Sequence, residues 1–428
     1  MKDIQYSSAV DEFLYTNEMD SGIKCYVLPK KGFVEKQAMI AVNYGSVDNE
    51  FEANGKIEKM PSGIAHYLEH KLFEEREGNV FEKFSKLGGN VNAFTNFTNT
   101  AYYFNTTENF DANFGTLLDF VQEPYFTDEN VEKERGIISQ EINMYQDDPI
   151  WIVYINMLAG LYKNKYFKEN IAGSVSSIKK ITKDMLLDCY NKFYVPQNMA
   201  IICCGDVDVE NIFRIVEEKI QKKRPKEIHR VQPKEPQKIN KKLIKENLAI
   251  STPLFYIGFK DNDESTLITE KTAAIKVLLD IVAGESSAFY EKLYNKGFIN
   301  QHFTIEYITN IYFGNSIFSG FSKHWEEVRE LLLYELKEIK KNGISEDHFQ
   351  RIKNKHIGRF IRGFNSIDAL ASSQVDYFSK GTDIFAALDS YVNLQKNKVE
   401  EFLVKHLTEE NMTTSVVLPE KGFFSLGR

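Results

Sequence analysis

The stretch His66-Tyr67-Leu68-Glu69-His70 constrains this chain more than any other, because its residue types fit together chemically only on a helix. Positions i and i+4 of an α-helix share a face, so both imidazoles can reach one metal ion. Glu69 falls three residues after His66 and one before His70, which sets a carboxylate beside that ion. The order reverses the commoner His-Glu-x-x-His helix. Two of eight histidines can lie close together by chance. The surroundings argue for a purpose: Pro61-Ser62-Gly63 is a turn signal, and Ile64, Leu68, Leu72 and Phe73 form an apolar stripe through the following residues.

A catalytic zinc takes three protein ligands and keeps a fourth position open for water. Two histidines therefore call for a third group. The best candidate lies 71 residues beyond His70, in the run from Val131 to Ile142. There Glu134 and Glu141 stand seven apart, two helical turns on one face, with Ile138, Ile142 and Tyr145 alongside. A single glutamate is ordinarily solvated. Two repeating on a half-apolar face are less easily read that way. Glu141 is taken as the third ligand, and Glu134 as a carboxylate behind it that orients Glu141 or a histidine. Glu69 is placed to act as a base on a metal-activated water.

These segments resemble the insulinase/pitrilysin-type (M16) zinc metallopeptidases. The run from Gly63 to Phe73 looks like the active-site helix of that family. Tyr44-Gly45-Ser46-Val47-Asp48 resembles the glycine-serine turn before it. Gly88-Gly89-Asn90-Val91-Asn92-Ala93-Phe94-Thr95 resembles the Gly-Gly-x-x-Asn-Ala-x-Thr segment. Glu134 to Glu141, with Asp147-Asp148-Pro149 after it, resembles the helix of the third ligand. The likeness spans most of the chain and is strongest in its first half. It is closest to the short members that Gram-positive bacteria encode as pairs, one subunit bearing the zinc motif.

The resemblance implies one Zn²⁺ per chain on His66, His70 and Glu141, Glu69 as general base, and hydrolysis of peptide bonds. It also implies that Asn92 and Ala93 begin an edge strand that binds a substrate backbone by strand addition. From the residues alone, Ala93 to Phe104 reads as a strand or hairpin, and beyond Thr95 it is equally well an ordinary half-buried one. One departure stands out. An Arg and a Tyr that reach the scissile carbonyl in complete family sites fall here on Tyr294 and Asn300, after Ser286-Ser287-Ala288-Phe289-Tyr290-Glu291-Lys292-Leu293. The expectation is thus a zinc-dependent endopeptidase for short or unfolded peptides, working in an enclosed chamber as a heterodimer with a family partner subunit that supplies Arg and Tyr. A homodimer is the other way to cover the missing pair. The alternative function is a non-catalytic peptide-binding or structural subunit. Zinc hydrolysis of a non-peptide amide is a third reading, since fold does not fix substrate.

Length divides the chain: 428 residues exceed one compact core. The expected fold class is α+β, two homologous halves, each a mostly antiparallel sheet with helices packed on one face, as the resemblance also implies. The expected boundaries are 1–220 for the zinc-bearing half, 221–246 for a charged, Pro-containing linker and 247–428 for a second half without metal residues. In both halves a charged helix leads into an Asn-Met and an apolar strand, at Asn198-Met199 and at Asn411-Met412. A net charge of −8 argues against a nucleic-acid surface. No run approaches the ~20 apolar residues of a membrane span, and Met1 to Gln5 has no apolar signal core, so a cytoplasmic location is expected. His348, His356 and His406, in polar surroundings, read as solvated, and His324 beside Trp325 as a partner contact.

Overall fold

The computed structural model describes residues 2–53, 55–76, 78–223, 228–231 and 234–420. They form two compact units, one of residues 1–142, 170–231 and 360–385, the other of 143–169, 232–359 and 386–428.

The sheet of the first unit is built from β1 (Lys2–Ser7), β2 (Glu12–Glu18), β3 (Lys24–Pro29), β4 (Lys36–Val42), β5 (Gly89–Thr95), β6 (Thr100–Thr106) and β7 (Met199–Gly205). Their order is β1-β2-β3-β7-β4-β6-β5, antiparallel throughout except for the parallel pair β3 and β7. Alternation sorts the side chains. Val27, Ala38, Ile40, Val42, Ile201 and Cys203 face a helix-covered core. Tyr26, Met39, Ala41, Ile202 and Cys204 are buried on the opposite face. That face is covered by the helix Ile367–Ser379, through Tyr26 against Phe378 and a hydrogen bond from Gln37 to Asp368 at 3.2 Å.

Two helices of this unit carry the expected ligand and base residues. Helix α1 spans Ile64–Leu72. Its start is set by Gly63, whose φ of 92° is left-handed and whose Cβ would meet the Ala172 carbonyl at 2.4 Å. Helix α2 spans Asp128–Gln146, and its part up to Ile142 belongs to this unit. Thr127 and Asn130 cap it reciprocally, at 2.9 and 3.1 Å.

The second unit repeats the plan. Strands β8 (Leu243–Leu248), β9 (Leu254–Asp261), β10 (Thr304–Thr309), β11 (Gly314–Phe321) and β12 (Met412–Pro419) order as β8-β12-β9-β11-β10. This matches β3-β7-β4-β6-β5 strand for strand, including the one parallel pair, here β8 and β12. The strands that follow the two Asn-Met signals, β7 and β12, occupy the same place in the two sheets. Helix α3 (Pro149–Leu161) lies on one face of the second sheet. Its close approach needs glycine on both sides: a Cβ on Gly160 would meet Thr413 Oγ1 at 2.3 Å, and one on Gly258 would meet Met157 Sδ at 2.7 Å. Helix α4 (Ile268–Ala283) packs against β10, and helix α5 (Glu346–Gly363), whose part up to Arg359 belongs to this unit, meets α4 through Lys355 and Asp280.

The architecture is α+β as expected, with two differences of detail. The compact units interleave: α3, from the first half of the sequence, covers the second sheet, and Ile367–Ser379, from the second half, covers the first. Both helices are apolar enough to demand burial, and a sheet with two buried faces needs a cover on each. The stretch 221–246 is also more than a solvated spacer. Ile228–Arg230 pairs with the strand Glu50–Ala53, and β8 begins at Leu243. Its charges have fixed partners: Arg230 Nε on buried Asp48 at 3.0 Å, and Glu235 on buried Lys260 at 2.6 Å. Residues 224–227 and 232–233 of that stretch lie outside the described ones.

Candidate metal centre

His66, Glu69 and His70 all lie on α1, and Glu134 and Glu141 lie on α2. The two helices are fastened near their crossing by groups that flank the motif. The Tyr67 hydroxyl donates to the Val131 carbonyl. Lys71, with no exposed side-chain surface, reaches Glu74 at 2.6 Å and the Asn130 carbonyl at 3.3 Å. His70 Nδ1–H donates to Glu134 Oε1 at 2.9 Å. Sequence reasoning passed over Tyr67 and Lys71. Their i, i+4 spacing, the same as that of His66 and His70, was the available signal that they share a face of α1.

With the register fixed, Glu141 Oε1 stands 3.6 Å from His66 Nε2, and Glu141 Oε2 stands 3.4 Å from His70 Nε2. One ligand atom from each of the three residues lies within 4.8 Å of the others. Zinc–nitrogen and zinc–oxygen bonds of about 2.05 Å at tetrahedral angles place ligand atoms roughly 3.3 Å apart. Two imidazoles and one carboxylate are also a usual donor set for catalytic zinc. The residues therefore fit the ion by chemistry and by spacing. Glu134 sits behind His70 instead of beside Glu141, so of its two expected roles the geometry pairs it with a histidine. His66 has no such brace: its Nδ1 is buried without a hydrogen-bond partner among the described residues. Packing and the ring of His70, 4.6 Å away at 61°, hold it.

The electrostatics follow from burial and these contacts. Burial, with the charge of His70 beside it, pulls His66 down to about 4. Burial opposes protonation of His70 too, but the bonds to Glu134 and Glu141 and the charge of Glu69 push it up to about 10. Glu134 is held below the usual carboxylate range: burial acts against this, and the His70 bond and charge outweigh it. Burial pushes Glu69 up to about 7, opposed by a hydrogen bond from Thr95. Burial and ion pairing thus pull two carboxylates of the site apart, Glu69 upward and Glu134 downward.

Asn92 and Ala93 lie mid-strand in β5, which begins at Gly89 and forms a hairpin with β6. Strand β5 is an edge: its outer side pairs with no other strand among the described residues. Ala93 packs toward the core, and Asn92, its neighbour, projects to the other face with its Oδ1 accepting the Ala93 N–H at 2.8 Å. Any role the two share runs through the backbone edge. Tyr294 and Asn300 belong to the second unit. Tyr294 is exposed and stacks on Tyr290 at 6.0 Å, and Asn300 Oδ1 accepts the His302 N–H at 2.9 Å.

Two of the histidines read as solvated are not. His406 is buried, 2.7 Å from Ser316 Oγ, and His356 stands 3.1 Å from buried Asp280. Their sequence neighbours are polar, but their own positions turn inward. His324 is exposed, paired with Glu327 at 3.0 Å and stacked on Phe298.

Two family models match this chain. One, described as "Insulinase (Peptidase family M16)", covers residues 40–174, and the other, "Peptidase M16 inactive domain", covers residues 180–355. The chain is 37% identical over 432 residues to "Uncharacterized zinc protease YmfH" of Bacillus subtilis (strain 168), covering 98% of this chain and 100% of that protein. The crystal structure of an M16-like peptidase from Alicyclobacillus acidocaldarius matches with a TM-score of 0.92 at 34% identity, over 96% of this chain and 99% of the other. Subunit beta of the mitochondrial-processing peptidase of Dictyostelium discoideum is 27% identical over 164 residues, 37% of this chain and 35% of that protein.

Proposed function

Since the chain belongs to the insulinase-type M16 peptidase family, we propose that it is the zinc-bearing subunit of an endopeptidase that hydrolyses short or unfolded peptides within an enclosed chamber. The observation that carries this reading is the convergence of His66, His70 and Glu141 with Glu69 buried beside them. Relatives named zinc proteases support the cofactor and the reaction class. His66, His70 and Glu141 would hold a zinc ion, which when bound would supply an activated water and polarise a carbonyl. The chain's own residues do the rest. Glu69 takes the proton from the water and passes it to the leaving amine. Glu134 holds the Nδ1–H tautomer of His70, which would leave Nε2 as the atom available to a metal. The free edge of β5 receives the substrate backbone without demanding its sequence.

By the family resemblance, Tyr294 and Asn300 fall where complete family sites carry Arg and Tyr, and a lost carbonyl-stabilising donor raises a barrier by roughly 3–4 kcal/mol. We therefore assign those groups to a second family chain; the likeness to a beta subunit of a processing peptidase favours such pairing. The test is cleavage of a quenched fluorescent peptide library by zinc-loaded protein, alone and with that chain, against Glu69→Gln. Cleavage lost in Glu69→Gln at unchanged zinc content is expected. Zinc-loaded wild type that cleaves nothing in either form overturns the catalytic reading in favour of a peptide-binding or structural subunit. That second reading is the one favoured by Tyr294 and Asn300 taken alone.

A further inference from the structure

Thr95 ends β5 and faces α1, not solvent: it is 8% exposed, and Glu69 is 7% exposed. Its hydroxyl donates to Glu69 Oε2 at 2.6 Å, at the short end of the O–H···O range. Its register partner across the hairpin is Thr100. The Thr100 hydroxyl lies 3.2 Å from that of Thr95 and donates to the Tyr44 carbonyl at 2.9 Å. Tyr44 leads into a turn that is locked to the hairpin loop. Ser46 N–H donates to the Asn96 carbonyl at 3.1 Å, and Val47 N–H to the Phe97 carbonyl at 3.0 Å. A Cβ on Gly45 would strike the Phe97 carbonyl at 2.4 Å, so the turn admits only glycine there. Thr95 is thus held by its strand, by Thr100 and by the turn behind Thr100.

We propose that Thr95 is a positioning residue for Glu69, fixing one carboxylate oxygen so that Oε1 is left to take the proton. This deepens the peptidase reading and rests on it. A glutamate has three side-chain torsions, and a buried carboxylate with neither oxygen held samples several orientations. Holding Oε2 removes that freedom before the reaction begins. The placement has a second consequence. The strand that offers its edge to a substrate backbone ends in the residue that grips the base, so substrate register and base orientation share one rigid element. Valine has the shape of threonine without the hydroxyl, and serine keeps the hydroxyl without the methyl, so the two separate packing from hydrogen bonding.

The test is crystal structures of the zinc-loaded wild type, Thr95→Val and Thr95→Ser, with kinetics of each alone and with the family partner chain. In Thr95→Val the Glu69 carboxylate should leave its position or split between orientations, while zinc content and Tm hold; Thr95→Ser should keep it in place. The kcat of Thr95→Val should fall about 10- to 100-fold, with KM within about twofold and Thr95→Ser within about threefold of wild type. Should Thr95→Val fail to fold, Thr95→Ala carries the same expectation. Glu69 unmoved in the hydroxyl-free variant, or an unchanged kcat where the wild type turns over, overturns the proposal. A zinc-loaded wild type that hydrolyses nothing overturns the peptidase reading instead, and the crystal comparison still decides the role of Thr95.

Discussion

In the first unit, the helix before the β5–β6 hairpin carries imidazoles and the helix after it carries carboxylates. In the second unit the chemistry is reversed. Helix α4 bears a buried carboxylate, Asp280, and α5 faces it with Lys355 Nζ at 2.8 Å, His356 Nε2 at 3.1 Å and an Arg359 nitrogen at 3.7 Å. Burial works against the ionised Asp280, yet the bonds from His356 and Lys355 hold it down to about 2. The strand order around both helix pairs is the same. What differs is whether the chain supplies its own cations. A cluster of imidazoles and carboxylates with no lysine or arginine among its donor atoms has lone pairs to offer an ion. A carboxylate already surrounded by ammonium and guanidinium groups has no charge left to attract one. The capacity to hold a metal ion follows from side-chain polarity placed on a duplicated frame, not from the frame.

The sharpest way to break this comparison is at the ligands. Wild type is expected to hold one zinc per chain, and His70→Ala none, by metal analysis after dialysis, while His356→Ala keeps the full complement. Zinc retained by His70→Ala, or lost from His356→Ala, would place the ion elsewhere. Next in size is the second unit's own cluster. Asp280→Ala should cost about 2–3 kcal/mol in urea unfolding, below the 3–5 of a fully buried pair because Lys355 and Arg359 can partly hydrate once released. An unchanged midpoint would mean that the ionic cluster does not hold α4 to α5.

Burial acts on a histidine of the second unit as it acts on His66, and that gives a pH prediction. His406 is fully enclosed, and burial pulls it down to about 4. In the unfolded chain it should titrate near the ordinary ~6.5. Between those values the unfolded state takes up a proton that the folded state refuses. Stability should therefore be lost as pH falls from about 6.5 to about 4, by roughly 3 kcal/mol at 1.36 kcal/mol per pH unit, and should not depend on this group above about 6.5. Urea midpoints of wild type and His406→Gln across that range test it: parallel pH curves for the two proteins would remove His406 as the cause.

How much of this was legible in the sequence depended on range. The motif helix was, because His66, Glu69 and His70 acquire a common purpose only at helical spacing, and Gly63 and the apolar stripe mark where that helix starts and which side it buries. The duplicated plan was legible from Asn198-Met199 and Asn411-Met412, since each pair precedes a strand of the same kind. Interleaving was not. Pro149–Leu161 is apolar, and local pattern records that it must be buried but not which sheet buries it. Nor were the partners of isolated polar groups legible. His356 and His406 have polar neighbours in sequence, and only the folded chain brings Asp280 and Ser316 to them. Thr95 was visible as part of a segment, but its bond to Glu69 joins a strand end to a helix 26 residues earlier.

The smallest effect expected is also the most discriminating about how the first unit would hold an ion. Of the two histidines, only His70 has a carboxylate behind it, and Glu134 provides it at 2.9 Å. Glu134→Gln keeps an acceptor in the same place but removes the charge that favours the Nδ1–H tautomer. Its ligand set is intact, so the zinc should stay, with affinity reduced about 10- to 100-fold, as loss of such a supporting carboxylate typically does. Competition against a chelator of graded strength measures this directly. A loss as complete as that of His70→Ala would make Glu134 a ligand in its own right. No loss at all would mean that His70, like His66, is oriented by packing alone, and that the two carboxylates of α2 are not a working pair.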